Sequence, residues 1–399
     1  MATTPPTTAQ RDYHIRFGRY EYPLYVRDGG ATDWPEFRDR LACLGADRFL
    51  LVTETSFPTD LTEQMSALVS TVAPCSLLTF PEGEDNKTLM TVDALIDAAD
   101  EKGVTHQSVV LTLGGGLAAN IGGFLAAVLL RGVRLVHNAT TLLHGSDVAL
   151  SLKQGVSSKR GKNRVGLFYA PTFVWFNLAF LDRLPREEIR SGLCELCKNV
   201  LAIRPAALGE IHGLLNPQAR YSHEDYGRFV ELCVDAKTHV MTDDPFEKGT
   251  GLVLEYGHTV GHALEKLTHG AIPHGQAIAV GMCVAARVAR LMGLLSEVDE
   301  RAHHDLLCQN GVPTSLPANL DPDDILAVIR SDNKSGYLPV KAGHHVMVLL
   351  EELGRAHLGE AGLPLTHVRE DDLLTALRAL SPLTASATPA VPMVSAVPA

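Results

Sequence analysis

The sequence has little of what marks membrane and secreted proteins. Aromatic residues make up only 6% of its 399 residues, and no apolar run has the length of roughly 20 residues that a membrane span needs. The longest candidate, IGGFLAAVLLRG, is interrupted by Gly122, Gly123 and Arg131 and is typical of a buried helix. The opening segment MATTPPTTAQ lacks the basic and apolar regions of a signal peptide. We therefore expect neither a membrane protein nor a secreted one.

A basic excess is also lacking. Lysine and arginine number 35 against 46 aspartates and glutamates, so the net charge of -11 argues against a nucleic-acid partner. A small anionic substrate remains compatible with this charge, because a local cationic pocket can oppose it. The seven cysteines are odd in number and widely spread, which is not a disulfide framework. Their pattern is typical of a reducing compartment and predicts a cytoplasmic protein.

The pattern of apolar segments predicts two domains. Short apolar runs at 47–55, 74–80, 107–116 and 133–141 alternate with helical patterns at 60–72 and 88–103, which indicates a parallel α/β sheet. From about residue 183 the spacing is almost entirely helical. We predict an α/β domain at 11–182, an α-helical domain at 183–380 and disordered, Pro-rich ends at 1–10 and 381–399. The active site is expected in the cleft between the domains.

Two polar turns in the first half are candidate nucleotide contacts. The turn GGGLAAN (114–120) follows an apolar strand and opens a helix, so its backbone N–H groups suit a phosphate, although a plain tight turn is an equal alternative. The usual GxGxxG of dinucleotide-binding folds is absent. The turn PEGEDNKTL (81–89) is better explained, by itself, as a solvated loop with a helix cap.

Cationic residues cluster in a second set of segments. In DVALSLKQGVSSKRGKNRVG (147–166), Lys153 has apolar neighbours, while Lys159, Arg160 and Lys162 crowd a loop rich in serine and glycine. Such a loop suits a phosphate ester, and the alternative is a flexible basic surface loop. In SDNKSGYL (331–338), Lys334 by itself indicates a surface turn.

The segment GLCELCKN (192–199) raises a different question. Cys194 and Cys197 form a single CxxC, which we interpret as two buried small apolar residues rather than a redox pair or half a zinc site. Glu195 and Lys198 stand three residues apart on one helix face in an apolar surrounding. A buried carboxylate needs a cation, so either a metal ion or a plain ion pair is predicted here.

Four histidines lie within LEYGHTVGHALEKLTHGAIPHGQA (254–277). His258 and His262 are four residues apart and project from one helix face, a spacing that suits a divalent ion. His274 follows a turn and can fold back toward them. Spacing alone favours His258 and His262 as the ligand pair with an undetermined third ligand, and structural histidines are the alternative.

Taken together, these segments resemble the sugar phosphate cyclases, the family of dehydroquinate synthase, over roughly residues 40–370. The motifs occur in the family's order: the GGG turn, the Asp-to-Lys segment ending in GKN, the ExxK helix, GHTxGHA, HGxAxxxGM and the late DNK turn. The resemblance implies an α/β NAD-binding domain, a helical metal-binding domain, NAD, Zn²⁺ or Co²⁺ as cofactors, a small sugar phosphate as substrate and a homodimer.

The resemblance also implies roles for individual residues. The metal ligands become Glu195, His258 and His274, and His262 moves from the ligand set to the substrate. Lys153, Lys198, Glu255 and His262 are implied as catalytic residues. Contacts to substrate or phosphate are implied for Arg131, Asp147, Lys162, Asn163 and Lys334. Contacts to NAD are implied for Glu54, Glu84, Lys87, Gly115, Gly116, Asn120, Thr140 and Thr141.

Within the family, the segments LEYGHT, LSLKQ and CELxKN resemble members that convert glucose 6-phosphate into 2-deoxy-scyllo-inosose, a precursor of aminocyclitol antibiotics. Dehydroquinate synthases have Asn and Arg where this chain has Glu255 and Gly251, and valiolone-type cyclases have Pro where it has His262. The implied reaction oxidises C4 transiently with NAD, eliminates phosphate and closes a carbocycle by an aldol step.

Some positions depart from the family pattern, and other functions stay open. Ala119 replaces a common Gly, Ala139 replaces a common Pro, and His144 follows the Thr140–Thr141 pair. The alternatives are a cyclase for a seven-carbon sugar phosphate, a metal-dependent polyol dehydrogenase, and a binding module with a decayed site.

Overall fold

The computed structural model describes residues 10–159, 161–330, 336–359 and 361–382. Its largest sheet has seven strands in the order β1-β2-β9-β6-β5-β3-β4, in which β1 is antiparallel to β2 and the other neighbours are parallel. The strands of the first half are β1 (Arg11–Phe17), β2 (Tyr20–Arg27), β3 (Phe49–Glu54), β4 (Cys75–Phe80), β5 (Val109–Gly114), β6 (Arg134–Ala139), β7 (Lys153–Ser158), β8 (Gly161–Phe168) and β9 (Phe173–Asn177).

Helices cover both faces of this sheet. The central strand β5 is buried at every residue, as a parallel strand with two covered faces must be, and this explains its continuous apolar sequence VVLTLG. Apolar clusters lie on each face, one around Leu50 and Leu125 and the other around Phe37 and Trp175. The helices of this half are α1 (Asp33–Ala42), α2 (Thr59–Ser70), α3 (Leu89–Glu101), α4 (Gly116–Val128) and α5 (Leu142–Ser146).

The second half is mostly helical and shares one core with the outer strands β1 and β2. Its helices are α6 (Arg186–Ala202), α7 (Leu208–Leu214), α8 (His223–Met241), α9 (His258–Leu267), α10 (His274–Leu291), α11 (Glu297–Gln309), α12 (Pro322–Ile329) and α13 (Glu370–Ala379). Helix α6 lies at the centre, because every residue from Ser191 to Ala202 is buried.

The predicted α/β half and helical half are both present, and the fold class is confirmed. The predicted strands at 47–55, 74–80, 107–116 and 133–141 correspond to β3, β4, β5 and β6. No helix in the described part of the chain combines the length and apolarity of a membrane span.

Three features differ from the sequence prediction. The basic segment that we expected to be a loop is largely an antiparallel hairpin of β7 and β8. The sequence analysis also missed the β1–β2 hairpin at the sheet edge. The described residues of the helical half include four short strands: β10 (His344–Met347), β11 (Leu350–Glu352), β12 (Arg355–Ala356) and β13 (Thr366–Arg369). The predicted terminal segments lie outside the described residues, except for Gln10, Ser381 and Pro382.

Candidate active site

Three helices bring Glu195, His258 and His274 together. Glu195 lies in the buried middle of α6, whereas His258 and His274 are the first residues of α9 and α10. One ligand atom from each residue lies within 4.8 Å of the other two. Glu195 Oε1 is 3.8 Å from His258 Nε2 and 3.5 Å from His274 Nε2. This nitrogen and oxygen set suits zinc or cobalt.

Hydrogen bonds at the far nitrogens orient both histidine rings. His258 Nδ1 donates to the main-chain oxygen of Tyr256 at 3.1 Å, which leaves the Nε2 lone pair for a metal ion. His274 Nδ1 lies 3.2 Å from Glu265 Oε2, so its Nε2 is likewise presented to the centre of the site. Both rings therefore have the partner that metal-binding histidines typically have.

The Glu195 carboxylate is a good test of whether the site fits a cation. It is fully buried, Lys198 Nζ forms an ion pair with Oε2, and no described residue gives either oxygen a hydrogen bond of normal geometry. Burial alone would raise the pKa of Glu195, but Lys198 and the two histidines outweigh it and hold the pKa well below its usual range. An ionised, buried carboxylate with an unbonded oxygen facing two imidazoles fits a divalent ion.

The two histidines differ in charge. Burial, reinforced by Lys198, lowers the pKa of His258 to about 4, so the ring is neutral. Burial would also lower the pKa of His274, but Glu265 and Glu195 outweigh it and raise the pKa to about 10. The negative charge of Glu265 and Glu195 keeps a proton on His274. The same negative charge also favours a divalent cation beside this ring.

Lys153 approaches the site from the hairpin. Its Nζ forms an ion pair with the buried carboxylate of Glu247 and lies 3.6 Å from Glu255 Oε1. Burial would lower the pKa of Lys153, but Glu247 and Glu255 raise it. The ammonium is therefore charged, and the side chain of Lys153 is half exposed.

A cavity of about 1020 Å³ opens beside the histidines. Its lining includes Glu84, Ser157, Lys162, His262 and Glu265, so it joins the two halves of the molecule. The ring of His262 lies 5.2 Å from that of His258 between centroids and 6.3 Å from that of His274. We call Glu195, His258 and His274 the metal set. His262 lies next to the metal set without belonging to it, the position that the resemblance implied.

Lys162 and Lys87 connect the hairpin to its surroundings. Lys162 Nζ lies 2.8 Å from Glu265 Oε1 and 4.0 Å from Glu84 Oε1. Buried Lys87 donates from Nζ to Asn163 Oδ1 at 2.6 Å. Burial lowers the pKa of Lys87, against the opposing effect of Glu84. These contacts gather Lys162, Asn163, Glu84 and Lys87 at one side of the cleft.

Five of the predicted NAD residues follow or end β3, β5 and β6 at their carboxyl ends, whereas Glu84 and Lys87 follow β4 and Asn120 lies in α4; the five are Glu54, Gly115, Gly116, Thr140 and Thr141. A Cβ on Gly114 would lie 3.9 Å from Glu54 Oε1, and one on Gly115 would lie 3.2 Å from the methyl group of Thr141. Thr140 N donates to Gly114 O at 3.1 Å. Burial, with Glu82 and Glu188 nearby, raises the pKa of Glu54. The glycines thus allow a close approach of backbone at the start of α4, where a dinucleotide binds in such sheets.

The departures from the family pattern sit at the same turn. Buried His144 donates from Nδ1 to Gly114 O at 2.8 Å, and this hydrogen bond holds the first residue of the glycine turn in place. Asn120 donates to Gly116 O at 2.9 Å and accepts from Gly155 N at 3.2 Å, which ties the turn to β7. Ala119 is fully buried in α4.

The other predicted substrate residues, Arg131, Asp147 and Lys334, have different surroundings. Arg131 follows the far end of α4, a helix of 13 residues that begins at the glycine turn, and comes shortly before β6, so in this chain it lies at the amino ends of the strands. Asp147 Oδ1 lies 2.8 Å from Lys237 Nζ, and the charge of Asp147 helps to raise the pKa of Lys153 and of Lys198, so this residue is near the site. Lys334 lies outside the described residues, as does Arg160.

The sequence analysis missed Glu247, Glu265 and Lys237. Glu265 is buried on α9 seven residues after His258, and Lys237 stands among buried residues of α8. A lone charge on an apolar helix face was the available signal for both. Glu247 follows a turn with no comparable signal. Cys194 and Cys197 are buried and free, as predicted.

Comparison with known proteins gives the family. The family model "3-dehydroquinate synthase N-terminal" matches residues 77–191, and "3-dehydroquinate synthase C-terminal" matches residues 192–335. The chain belongs to the 3-dehydroquinate synthase family. The 2-deoxy-scyllo-inosose synthase of Streptoalloteichus tenebrarius is 44% identical over 353 residues, which cover 88% of this chain and 90% of that protein.

Solved structures of the same family agree. A crystal structure of 2-deoxy-scyllo-inosose synthase complexed with carbaglucose-6-phosphate, NAD⁺ and Co²⁺ has a TM-score of 0.85 and 32% identity, and covers 92% of this chain and 99% of that one. A 2-epi-5-epi-valiolone synthase from Streptomyces hygroscopicus, with NAD⁺ and Zn²⁺ bound, shares the fold with a TM-score of 0.78 at 22% identity over 91% of this chain and 97% of that one. The predicted membership of the sugar phosphate cyclases is confirmed.

Proposed function

We propose that this family member converts glucose 6-phosphate into 2-deoxy-scyllo-inosose and phosphate, as a step toward an aminocyclitol antibiotic. The observation that carries the proposal is the convergence of Glu195, His258 and His274 beside Lys153 and His262. The 44% identity to a 2-deoxy-scyllo-inosose synthase supports the choice of reaction within the family.

Both cofactors follow from the chemistry of the site. Bound NAD would supply a reversible hydride acceptor for C4 of the sugar, and a divalent ion held by Glu195, His258 and His274 would supply Lewis-acid polarisation of the C4 oxygen. The glycine turn at Gly115 and Gly116, together with Glu54 and Thr140–Thr141, would hold the dinucleotide.

The cationic side chains bind and orient the sugar phosphate. Phosphate leaves C6 as the C5 proton is lost, and the charge that grows on the leaving oxygens needs fixed cations. We assign Lys162 and Lys198 to this role, with Asn163 as an uncharged partner, and we assign Lys153, which lies between Glu247 and Glu255, to the sugar hydroxyls. Ring opening and aldol closure then move protons at sugar oxygens, and His262 lies beside the metal set where it can donate and accept them.

Glu255 accounts for the choice of a neutral sugar. Its carboxylate and that of Glu247 flank Lys153, so the ammonium faces two negative charges already. A substrate carboxylate at this place would be repelled, whereas sugar hydroxyls can donate to Glu255. Gly251 offers no cation where dehydroquinate synthases have Arg, which also disfavours an acidic substrate.

The test is a reaction with glucose 6-phosphate, Co²⁺ and less NAD⁺ than substrate. We expect release of one phosphate per sugar, a cyclic ketone identified by NMR, and no accumulation of NADH. Phosphate release from a seven-carbon sugar phosphate only would contradict the proposal in favour of a valiolone- or dehydroquinate-type cyclase. Net NADH formation from an alcohol would point to a polyol dehydrogenase, and sugar phosphate binding without turnover would point to a binding module.

A further inference from the structure

A buried hydrogen bond joins Tyr256, two residues before His258, to His303 of α11. Tyr256 and His303 are both fully buried, and the Tyr256 hydroxyl lies 2.8 Å from His303 Nε2. The other ring nitrogen, His303 Nδ1, lies 2.7 Å from the main-chain oxygen of Asp299. Because a carbonyl oxygen only accepts, Nδ1 carries the proton, and Nε2 must accept from the tyrosine. Burial also lowers the pKa of His303 to about 4, so the ring is neutral.

The same tyrosine touches a metal ligand through its backbone. The Tyr256 carbonyl oxygen accepts from His258 Nδ1, and only Gly257 separates the two residues. Gly257 has a φ of +80° and has no room for a side chain, since a Cβ would lie 2.9 Å from Ile278 O. The peptide between tyrosine and histidine is thus a tight turn at the start of α9 with little freedom to adjust.

We propose that Tyr256 and His303 are positioning residues for the metal: their hydrogen bond fixes the Tyr256 carbonyl, which in turn orients His258 Nε2 toward Glu195. The chain of contacts runs from α11 through Tyr256 to the first residue of α9. These contacts orient His258, whose Nδ1 bonds a main-chain oxygen among the described residues. The Nδ1 of His274 instead has the carboxylate of Glu265 as its partner. This inference rests on the proposed metal site.

The experiment measures the affinity for Co²⁺ of full-length Tyr256→Phe, by competition with a chelator. Phe keeps the ring and removes only the hydroxyl, so we expect the dissociation constant to rise by about tenfold or more, as it does when such outer partners of a metal ligand are lost. The visible spectrum of bound Co²⁺ should change as well. The matched control is Tyr169→Phe, which removes a hydroxyl bonded to Val133 O at 2.8 Å in the other half of the molecule.

The control separates positioning from stability. Tyr256→Phe loses the hydrogen bond to His303, and Tyr169→Phe loses the hydrogen bond to Val133 O. Both variants should have a lower melting temperature than wild type in the absence of metal. Tyr169→Phe should nevertheless keep the wild-type affinity for Co²⁺ and the wild-type Co²⁺ spectrum. Equal Co²⁺ affinity in wild type and Tyr256→Phe would overturn the inference.

Two variants at His303 give a second reading. His303→Gln keeps an acceptor for the tyrosine hydroxyl, so this variant should retain most of the wild-type affinity for Co²⁺. His303→Leu has no acceptor and should weaken Co²⁺ binding as Tyr256→Phe does. Equal affinity of the Gln and Leu variants would contradict the inference even if Tyr256→Phe fails to fold. Failure of the metal site itself is recognised separately, by wild-type protein that binds no Co²⁺ or by Glu195→Ala that binds it normally.

Discussion

Glu195 is the residue on which the metal site depends most. It supplies the only carboxylate of the predicted ligand set, and its removal would also leave buried Lys198 without its ion-pair partner. We expect Glu195→Ala to lose stoichiometric Zn²⁺ or Co²⁺ and all phosphate release, measured by metal analysis of dialysed protein. Glu187→Ala, an exposed change on the same helix, should retain both, and full metal content in Glu195→Ala would refute the ligand role.

His144 makes a prediction about pH. Burial lowers the pKa of this ring to about 4, from an ordinary value near 6.5 in the unfolded chain. The stability that comes from keeping it neutral is present above pH 6.5 and is lost as the pH falls toward 4, because only the unfolded state then takes up the proton. Between pH 6.5 and 5 this loss is about 2 kcal/mol.

The measurement is the free energy of unfolding of His144→Asn at several pH values. Its decrease between pH 6.5 and 5 should be about 2 kcal/mol smaller than in wild type. His106→Asn, a change at an exposed histidine, should leave the wild-type decrease intact. A parallel decrease in wild type and His144→Asn would exclude the assignment.

At the scale of elements, the metal ligands depend on how closely α9 approaches α10. A Cβ on Gly281 would lie 2.0 Å from Gly257 O, and one on Gly261 would lie 3.1 Å from Ile278 Cα. The two helices therefore meet backbone to backbone, and each begins with a predicted metal ligand, His258 or His274. Glycine here is required by the close contact.

Gly281→Ala tests this contact. The added methyl group must push α9 away from α10, so we expect a loss of about 3 kcal/mol in the free energy of unfolding together with weaker metal binding. Gly209→Ala is the matched control, since nothing lies within 4 Å of its added Cβ in α7, and it should be neutral or stabilising by about 0.5–1 kcal/mol. Chemical denaturation with and without Co²⁺ measures both effects.

The sequence predicted some elements better than others, for physical reasons. Strands such as β5 are buried on both faces, so their apolar runs stand out without an alignment. The β7–β8 hairpin was missed because its strands are rich in lysine, serine and glycine. These residues interrupt the alternation of apolar and polar side chains by which a strand is recognised. Spacing alone did not predict the cluster of Glu195, His258 and His274, because the two histidines start different helices and only the packing of these helices brings them to Glu195.

At the scale of the whole molecule, the state of association remains to be measured. The family resemblance implies a homodimer in the cytoplasm, and we propose that state for this chain. Sedimentation equilibrium should give twice the mass of one chain at micromolar concentration. A single-chain mass over the same range would contradict the proposal.

Glu265 gives the two halves of the molecule a common carboxylate. One oxygen lies 2.8 Å from Lys162 of β8, and the other lies 3.2 Å from His274 of α10. If Lys162 binds the phosphate and His274 the metal ion, as proposed, a phosphate that draws Lys162 away would leave more negative charge on Glu265 for the ion, and an ion that draws on this charge would weaken the contact of Glu265 with Lys162. Thermodynamic reciprocity then requires that metal tighten the sugar phosphate by the same factor by which the sugar phosphate tightens metal.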